Sequence, residues 1–310
     1  MPNILFAAKS ERWETYEAPL REALSDLGVA GAWLGTQADP SEIDYLVYAP
    51  NSGLVDFTPY TSLKAVLNLW AGVEDVVGNP TLNVPLARMV DPGLEEGMVE
   101  WVTGHVLRHH LGIDQHIAGQ DGVWRLGAPP LARDRVVTIL GLGELGQACA
   151  RILAGLNFQV RGWARSAKAV PNVTSFSGAD EFEQALDGAD IVVLLLPDTP
   201  ATHNILDADA IAHLAPGAFV INPGRGPLID DQALIAALDT GHLAHATLDT
   251  FRQEPLPPEH PFWAHPGITV TPHIASETRA KSAARVIAEN IRRGEAGEPF
   301  LHLVDVARGY

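Results

Sequence analysis

Three short stretches carry residues able to do chemistry, and each follows a run that reads as a β-strand. The first is Asn222-Pro223-Gly224-Arg225-Gly226. An arginine set between glycines just past a strand is presented by a turn, and its planar fork suits a carboxylate. Taken alone it reads as readily as a surface arginine. The second stretch is Asp249-Thr250-Phe251-Arg252-Gln253-Glu254-Pro255-Leu256, and the third is Thr271-Pro272-His273-Ile274-Ala275-Ser276. A histidine at a strand end can serve as a general acid or base near neutral pH. A carboxylate beside it would hold one tautomer and keep the ring protonated as a donor. Alone, His273 reads as a structural histidine and Glu254 as a solvated acid. Their common placement at strand ends favours the catalytic reading, because ligands of doubly wound sheets bind at the carboxyl ends of the strands.

A fourth stretch implies a nucleotide. Val136 to Leu140 is a short β-branched run that leads into Gly141-Leu142-Gly143-Glu144-Leu145-Gly146. Leu145, Ala148, Cys149, Ile152 and Leu153 then recur at helical spacing, and a second apolar run covers Phe158 to Trp163. Strand, glycine turn, helix and strand make the dinucleotide-binding unit. Gly141 permits the tight turn, Gly143 lets backbone approach a pyrophosphate, and Gly146 lets the helix pack close to the strand. The free N–H groups at Glu144 and Leu145 face the anion, aided by the helix dipole. An NAD site usually has an acid at the end of the second strand. That end reads Trp163-Ala164-Arg165-Ser166-Ala167-Lys168, with two cations, a hydroxyl and no acid. Arg165, Ser166 and Lys168 suit a 2′-phosphate, so NADPH is the expected cofactor, with NADH possible.

Two α/β units must position these groups. Asn3 to Ala8 reads as a strand, and Trp13, Tyr16, Leu20, Leu24 and Leu27 as a helix ending at Gly28. Gly31 to Leu34, Tyr45 to Tyr48 and Ala65 to Leu69 read as further strands, so the first part of the chain is a small unit of its own. A long helix over Gly93 to Leu111 carries the chain onward, and Arg125 to Arg133 is a connector. Ile191 to Leu196, Ala218 to Asn222, Ala246 to Leu248 and Ile268 to Thr271 read as strands of a parallel sheet. Helices lie near Asp180 to Leu186, Ala208 to Leu214 and Asp230 to Leu238. A last helix over Ser276 to Arg293 returns the chain to the first unit. The fold class is therefore α/β with two doubly wound domains. A Rossmann domain, 96–276, is inserted into a flavodoxin-like substrate domain, 1–95 with 277–310.

Composition narrows the partners. A formal net charge of −17 argues against nucleic acid, because phosphates would be repelled over the whole surface. No run is long and apolar enough to span a bilayer, and Pro2 to Ser10 lacks the order of a signal peptide. The single cysteine, Cys149, excludes an intrachain disulfide and reads as a buried core thiol, which fits the cytoplasm. His105 and His109 stand four apart, a spacing that binds metal, but no carboxylate or third ligand is patterned nearby. No metal is expected.

Taken together, the motifs resemble the D-isomer-specific 2-hydroxyacid dehydrogenases nearly from end to end. The resemblance rests on the Gly141-to-Gly146 turn, Leu195-Leu196-Pro197-Asp198-Thr199-Pro200-Ala201-Thr202, Asn222 to Gly226, Asp249 to Leu256, and Pro272-His273. Within that family the chain is most similar to the glyoxylate/hydroxypyruvate reductase A branch. The branch cues are Trp163-Ala164-Arg165-Ser166, Glu254 to Glu259 and Val304 to Tyr310.

The resemblance implies reduction of a small 2-oxo acid. Arg225 would bind its carboxylate and help polarise the carbonyl, His273 would protonate the carbonyl oxygen, and Glu254 would be the partner of His273. Asp249 would hold the nicotinamide carboxamide. Leu196, Pro197, Pro223, Gly224 and Ala275 complete the expected cofactor contacts. Ala71-Gly72-Val73 matches the loop whose N–H groups face the substrate. Trp70 departs from the family, which usually has a small residue there, and this bears on the shape of the pocket mouth. Pro223 and Thr250 are smaller departures. Trp13, Tyr48 and Trp70 lie near loops that could line the pocket, where bulk would favour a small substrate; core packing explains each equally well. A homodimer is implied by the resemblance alone.

Other classes fit less well. Tyr60-Thr61-Ser62-Leu63-Lys64 has the spacing of short-chain dehydrogenases but precedes the glycine turn instead of following it. A zinc alcohol dehydrogenase needs more cysteines. A reductase of a larger 2-oxo acid, or a nucleotide sensor on the same fold, remains open. The full Arg225, Glu254 and His273 set counts against the sensor.

Overall fold

The computed structural model describes residues 1–29 and 32–306, so Gly31 and the end of the Val304-to-Tyr310 cue lie outside the described residues. The chain divides into two compact units, 1–94 with 277–310, and 95–276.

The first unit contains β1 (Asn3–Ala7), α1 (Ser10–Asp26), β2 (Trp33–Gly35), β3 (Tyr45–Tyr48), β4 (Ala65–Asn68) and β5 (Leu86–Ala87). The strands form one parallel sheet in the order β2-β1-β3-β4-β5. Alternate residues face opposite sides, and both sides are covered. Ile4, Phe6, Tyr45, Val47 and Leu67 fill one core, while Leu5, Leu46, Tyr48 and Val66 fill the other. Lys64, the apparent partner of Tyr60 in the short-chain spacing, is bonded to Glu295 at 2.7 Å and to Asp44 at 3.1 Å.

Helix α2 (Pro92–His110) leads into the second unit. There follow α3 (Ile113–Ala118), β6 (Val136–Leu140), α4 (Glu144–Gly155), β7 (Gln159–Ala164), β8 (Thr174–Ser177), α5 (Phe182–Leu186) and β9 (Ile191–Leu194). Then come α6 (Ala208–Ala212), β10 (Ala218–Asn222), α7 (Asp231–Asp239), β11 (Leu243–Leu248) and β12 (Ile268–Val270). The seven strands are parallel in the order β12-β11-β10-β9-β6-β7-β8. The order reverses between β6 and β9, which is where such sheets bind ligands. Ile139 and Val193 pair toward one core, and Leu140 and Leu194 toward the other.

The last helix, α8 (Ala280–Ala296), belongs to the first unit. Its Ala283, Ala284, Ile287 and Ile291 pack with Tyr16, Leu20 and Leu24 of α1. It starts at Ala280 and not at Ser276, because residues 276–279 are irregular backbone. Its end is closed by left-handed Gly297. Ile152 also departs from the sequence reading. The buried face of α4 centres on Gly146, Cys149, Ala150 and Leu153, which leaves Ile152 on the flank and half-exposed. Among the described residues no helix is long and apolar enough to cross a membrane.

Candidate active site

The glycine turn after β6 has a separate steric reason at each position. Gly141 has φ +109°, and a Cβ there would lie 2.6 Å from the Leu195 carbonyl oxygen. A Cβ on Gly146 would lie 1.8 Å from the Gly141 carbonyl oxygen, so α4 can approach β6 only without one. Gly143 is different: a Cβ would meet nothing within 4 Å. Its exposed face, with Glu144 beside it, opens the first turn of α4 to an incoming anion. This cradle fits a dinucleotide pyrophosphate.

At the end of β7, Trp163 is buried and its indole N–H donates to the Gly178 carbonyl at 2.8 Å. That anchor leaves Arg165, Ser166 and Lys168 on an exposed loop. Leu196 and Pro197 follow β9, where the Thr202 hydroxyl donates to the Pro197 carbonyl at 2.7 Å.

Arg225 is presented by a turn that Asn222 builds. The Asn222 amide donates to the Arg225 carbonyl at 2.9 Å, and its oxygen accepts from the Gly224 N–H at 3.1 Å. Gly226 packs on the next site loop so closely that a Cβ would lie 2.1 Å from the Phe251 carbonyl carbon. The turns bearing Arg225 and Glu254 are therefore fixed against each other. Asn222-Pro223-Gly224 carries a turn signal, but the signal does not show that the Asn222 side chain itself shapes the turn.

His273 and Glu254 meet. The imidazole Nδ1 lies 2.7 Å from Glu254 Oε2, while Oε1 accepts the Phe251 N–H at 2.9 Å. Burial pushes the Glu254 carboxyl up, but the bonds from His273 and Phe251, with the Arg225 charge nearby, leave it below its ordinary value. Half of the His273 side chain is exposed, and among the described residues its Nε2 has no partner. The arrangement can pass one proton to a ligand atom placed at Nε2.

Asp249 is fully buried. Its Oδ1 accepts from the Thr271 hydroxyl at 2.6 Å and the Ile274 N–H at 2.9 Å, and its Oδ2 accepts from the Ala275 N–H at 2.8 Å. Nothing local to Asp249 in the chain signals these contacts, whose donors lie more than twenty residues away.

The 70–73 segment lies in the first unit. Buried Asn68 donates to the carbonyls of Trp70 at 3.0 Å and Gly72 at 2.9 Å. Both carbonyls are thereby turned inward, and among the described residues the N–H groups of Ala71, Gly72 and Val73 are not hydrogen-bonded. Trp70 is partly exposed. Tyr48 corrects the sequence reading. It is a core residue, edge-on to Phe57 with its hydroxyl donating to the Leu54 carbonyl at 3.0 Å, because both faces of β3 are covered. Trp13 likewise packs on Phe6, at 5.3 Å between ring centroids. His105 and His109 do not converge on a metal; His109 Nε2 is 2.9 Å from the Thr247 hydroxyl, and the described residues contain no cluster able to hold one.

Comparison with known proteins gives concordant matches. Residues 104–275 match the model of the D-isomer specific 2-hydroxyacid dehydrogenase NAD binding domain. The chain is 38% identical over 316 residues to glyoxylate/hydroxypyruvate reductase A of Serratia proteamaculans, covering 99% of this chain and 100% of that protein. A D-isomer specific 2-hydroxyacid dehydrogenase from Xanthobacter autotrophicus, solved with NADPH and MES, superposes with a TM-score of 0.93 at 39% identity, covering 100% of this chain and 99% of the other. An NADPH-dependent glyoxylate/hydroxypyruvate reductase from Sinorhizobium meliloti, solved with NADP and sulfate, gives 0.87 at 34% identity, with both chains covered fully, 100% each.

Proposed function

Since the chain belongs to the D-isomer specific 2-hydroxyacid dehydrogenase family, we propose that it is an NADPH-preferring reductase of small 2-oxo acids, with glyoxylate or hydroxypyruvate as substrate. The observation that carries the reading is the 2.7 Å contact between His273 and Glu254, which engages Nδ1 and leaves Nε2 for the substrate. The Arg225 guanidinium takes the substrate carboxylate, and its charge draws the adjacent carbonyl toward polarisation. His273 gives its Nε2 proton to the carbonyl oxygen, while Glu254 holds the Nδ1 proton and fixes the ring. The chemistry supplied by a bound nicotinamide is a hydride for the 2-oxo carbon. One proton and one hydride thus convert the carbonyl to the alcohol.

For the cofactor, the Gly143 opening and the α4 N-terminus take the pyrophosphate, and Arg165, Ser166 and Lys168 take the 2′-phosphate. Leu196, Pro197, Pro223, Gly224 and Ala275 keep the contacts the resemblance assigns them. The N–H groups of Ala71, Gly72 and Val73 are assigned to the substrate carboxylate on the same ground.

Absorbance at 340 nm, followed with NADPH and NADH against glyoxylate, hydroxypyruvate, pyruvate and phenylpyruvate, tests the reading. Turnover of the small acids with NADPH is expected, and His273→Ala loses most of kcat while still binding NADPH. No turnover on any acid favours a nucleotide sensor; preference for phenylpyruvate favours a reductase of larger substrates.

We also infer that the enzyme works as a homodimer in the cytoplasm. Ile117, Val123, Trp124, Leu126 and Leu131 lie exposed along one stretch, with Trp124 and Leu126 each 88% accessible. A second copy would remove this apolar surface from water. Light scattering should give twice the chain mass, falling to the monomer in a Trp124→Ser, Leu126→Ser variant. Activity in a periplasmic fraction would refute the cytoplasmic location.

A further inference from the structure

Glu254 stands on a loop with few bonds of its own. Among the described residues no backbone group of 251–256 is hydrogen-bonded to another backbone group, and the Phe251 N–H goes to Glu254 itself at 2.9 Å. Such a segment is fixed by side chains or left loose. Phe251 is one anchor, buried in a core of the second unit. Arg252 is the other. Its Nη2 donates to the Asn204 side-chain oxygen and to the Ile229 carbonyl, its Nε lies 3.4 Å from Asp231 Oδ2, and its Nη1 lies 3.4 Å from His203 Nε2. Ile229 closes the short turn that Arg225 opens, and Asp231 begins α7. The 204–206 segment is laced to that same turn: the Asn204 N–H donates to the Pro227 carbonyl at 2.8 Å, and the Leu206 N–H to the Leu228 carbonyl at 3.0 Å. One planar fork thus joins the Glu254 loop to the far end of the Arg225 turn. An isolated surface pair would contribute little. This cation meets two further stretches of chain at once, 203–204 and 229–231.

We propose that Arg252 is a positioning residue: its guanidinium, held by Asn204, Ile229 and Asp231, fixes the 251–254 loop so that Glu254 meets His273 Nδ1 while Arg225 keeps its place. This role rests on the reading of His273 as the proton donor. The charge of Arg252 is spent on Asp231, whose carboxyl burial pushes up and the guanidinium draws back down. The groups that hold Glu254 down are His273, Phe251 and Arg225. Arg252 therefore acts on the proton-donating pair through the geometry of the loop and not through its own charge.

Three measurements on the full chain test this. In the cofactor-free protein, hydrogen exchange of a peptide covering 250–256 should quicken by about tenfold in Arg252→Ala, with the β6–α4 peptide unchanged. In steady state, kcat should fall by about tenfold while the NADPH dissociation constant, read by fluorescence, stays within about threefold. The acid limb of kcat/KM should also move to higher pH. The bonds from His273 and Phe251 and the Arg225 charge hold the Glu254 carboxyl below its ordinary value against burial. A loosened loop weakens those bonds, burial prevails, and the carboxylate takes its proton earlier as pH falls. A merely structural arginine would lower the melting temperature and leave that limb in place. That result, or wild-type exchange of 250–256, overturns the proposal. Should Arg252→Ala not fold, Asn204→Gly decides, since it removes one acceptor of the guanidinium and glycine tolerates the φ of +52° at that position. Wild-type exchange of 250–256 in Asn204→Gly refutes the anchoring. Exchange is independent of turnover, so a wild-type protein inactive on every 2-oxo acid refutes the function while the anchoring is still judged by the loop's amides.

Discussion

Replacing His109 with phenylalanine should make the protein less stable at neutral pH and more stable than the wild type in acid. His109 is 4% exposed, its Nε2 sits 2.9 Å from the Thr247 hydroxyl, and its ring stacks on Phe219 at 4.7 Å. Burial, with the nearby His245 and Arg108 charges, pushes it down from 6.5 to about 3. Between those values the unfolded chain binds a proton that the native ring does not. The folded state therefore has its full stability above the unfolded pKa and loses it as pH falls toward the folded one. The slope is about 1.4 kcal/mol per pH unit, so two units of acidification cost about 2.7 kcal/mol through this one ring. His109→Phe keeps the stack and removes the titration. It also leaves the buried Thr247 hydroxyl without a partner, at a cost of about 1–3 kcal/mol. His105, His110 and His245 are also held low, by burial above all, but they remain in both proteins and cancel in the difference. Urea midpoints of both proteins at about pH 7.5, 6 and 4.5 give the difference directly, and it should move in favour of the variant by about 2.7 kcal/mol across that range. A constant difference across the three would refute the assignment of a buried neutral histidine.

Gly146→Ala places a methyl 1.8 Å from the Gly141 carbonyl oxygen, so α4 must move away from β6. Stability should drop by several kcal/mol, on the order of 3, with NADPH affinity falling alongside it; a wild-type melting temperature would contradict the packing argument. Converting Arg165 and Lys168 together to glutamate should lower kcat/KM for NADPH by about tenfold or more and leave NADH unharmed. Equal losses for both cofactors would remove the 2′-phosphate assignment. The Cys149 thiol is fully buried, and burial pushes it up to about 12, so Ellman's reagent should label it only after denaturation. Rapid labelling of the native protein would show that the site opens.

What the sequence made legible was what depends on neighbours along the chain. The continuous apolar run at Ile191 marked a strand buried on both faces, and the three glycines marked a turn whose steric reasons are local. The polar edge strand Thr174–Ser177 and the two-residue strand Leu86–Ala87 carry too little apolar pattern to be seen. The site divided in the same way. The types and order of Arg225, Glu254 and His273 could be read, because each sits beside turn-forming residues. The meeting of Glu254 with His273, nineteen residues apart, and the bonding of Asp249 to 271–275 depend on strands lying side by side, which only the sheet order provides. Tyr48 shows the limit from the other side: its type suggested a pocket wall, but both faces of β3 are covered, so either parity buries it.

The first unit is discontinuous, and this bears on how the chain leaves the ribosome. Residues 95–276 form an unbroken stretch that can fold as soon as it has emerged. Residues 1–94 emerge earlier but lack α8, whose Ala283, Ala284, Ile287 and Ile291 complete the core around Leu20 and Leu24. Residues 1–94 must therefore wait, with the apolar face of α1 uncovered, until α8 has been made. A nascent chain stalled before residue 280 should expose that face to chaperones that bind apolar surface, and extension through Ala296 should end the exposure.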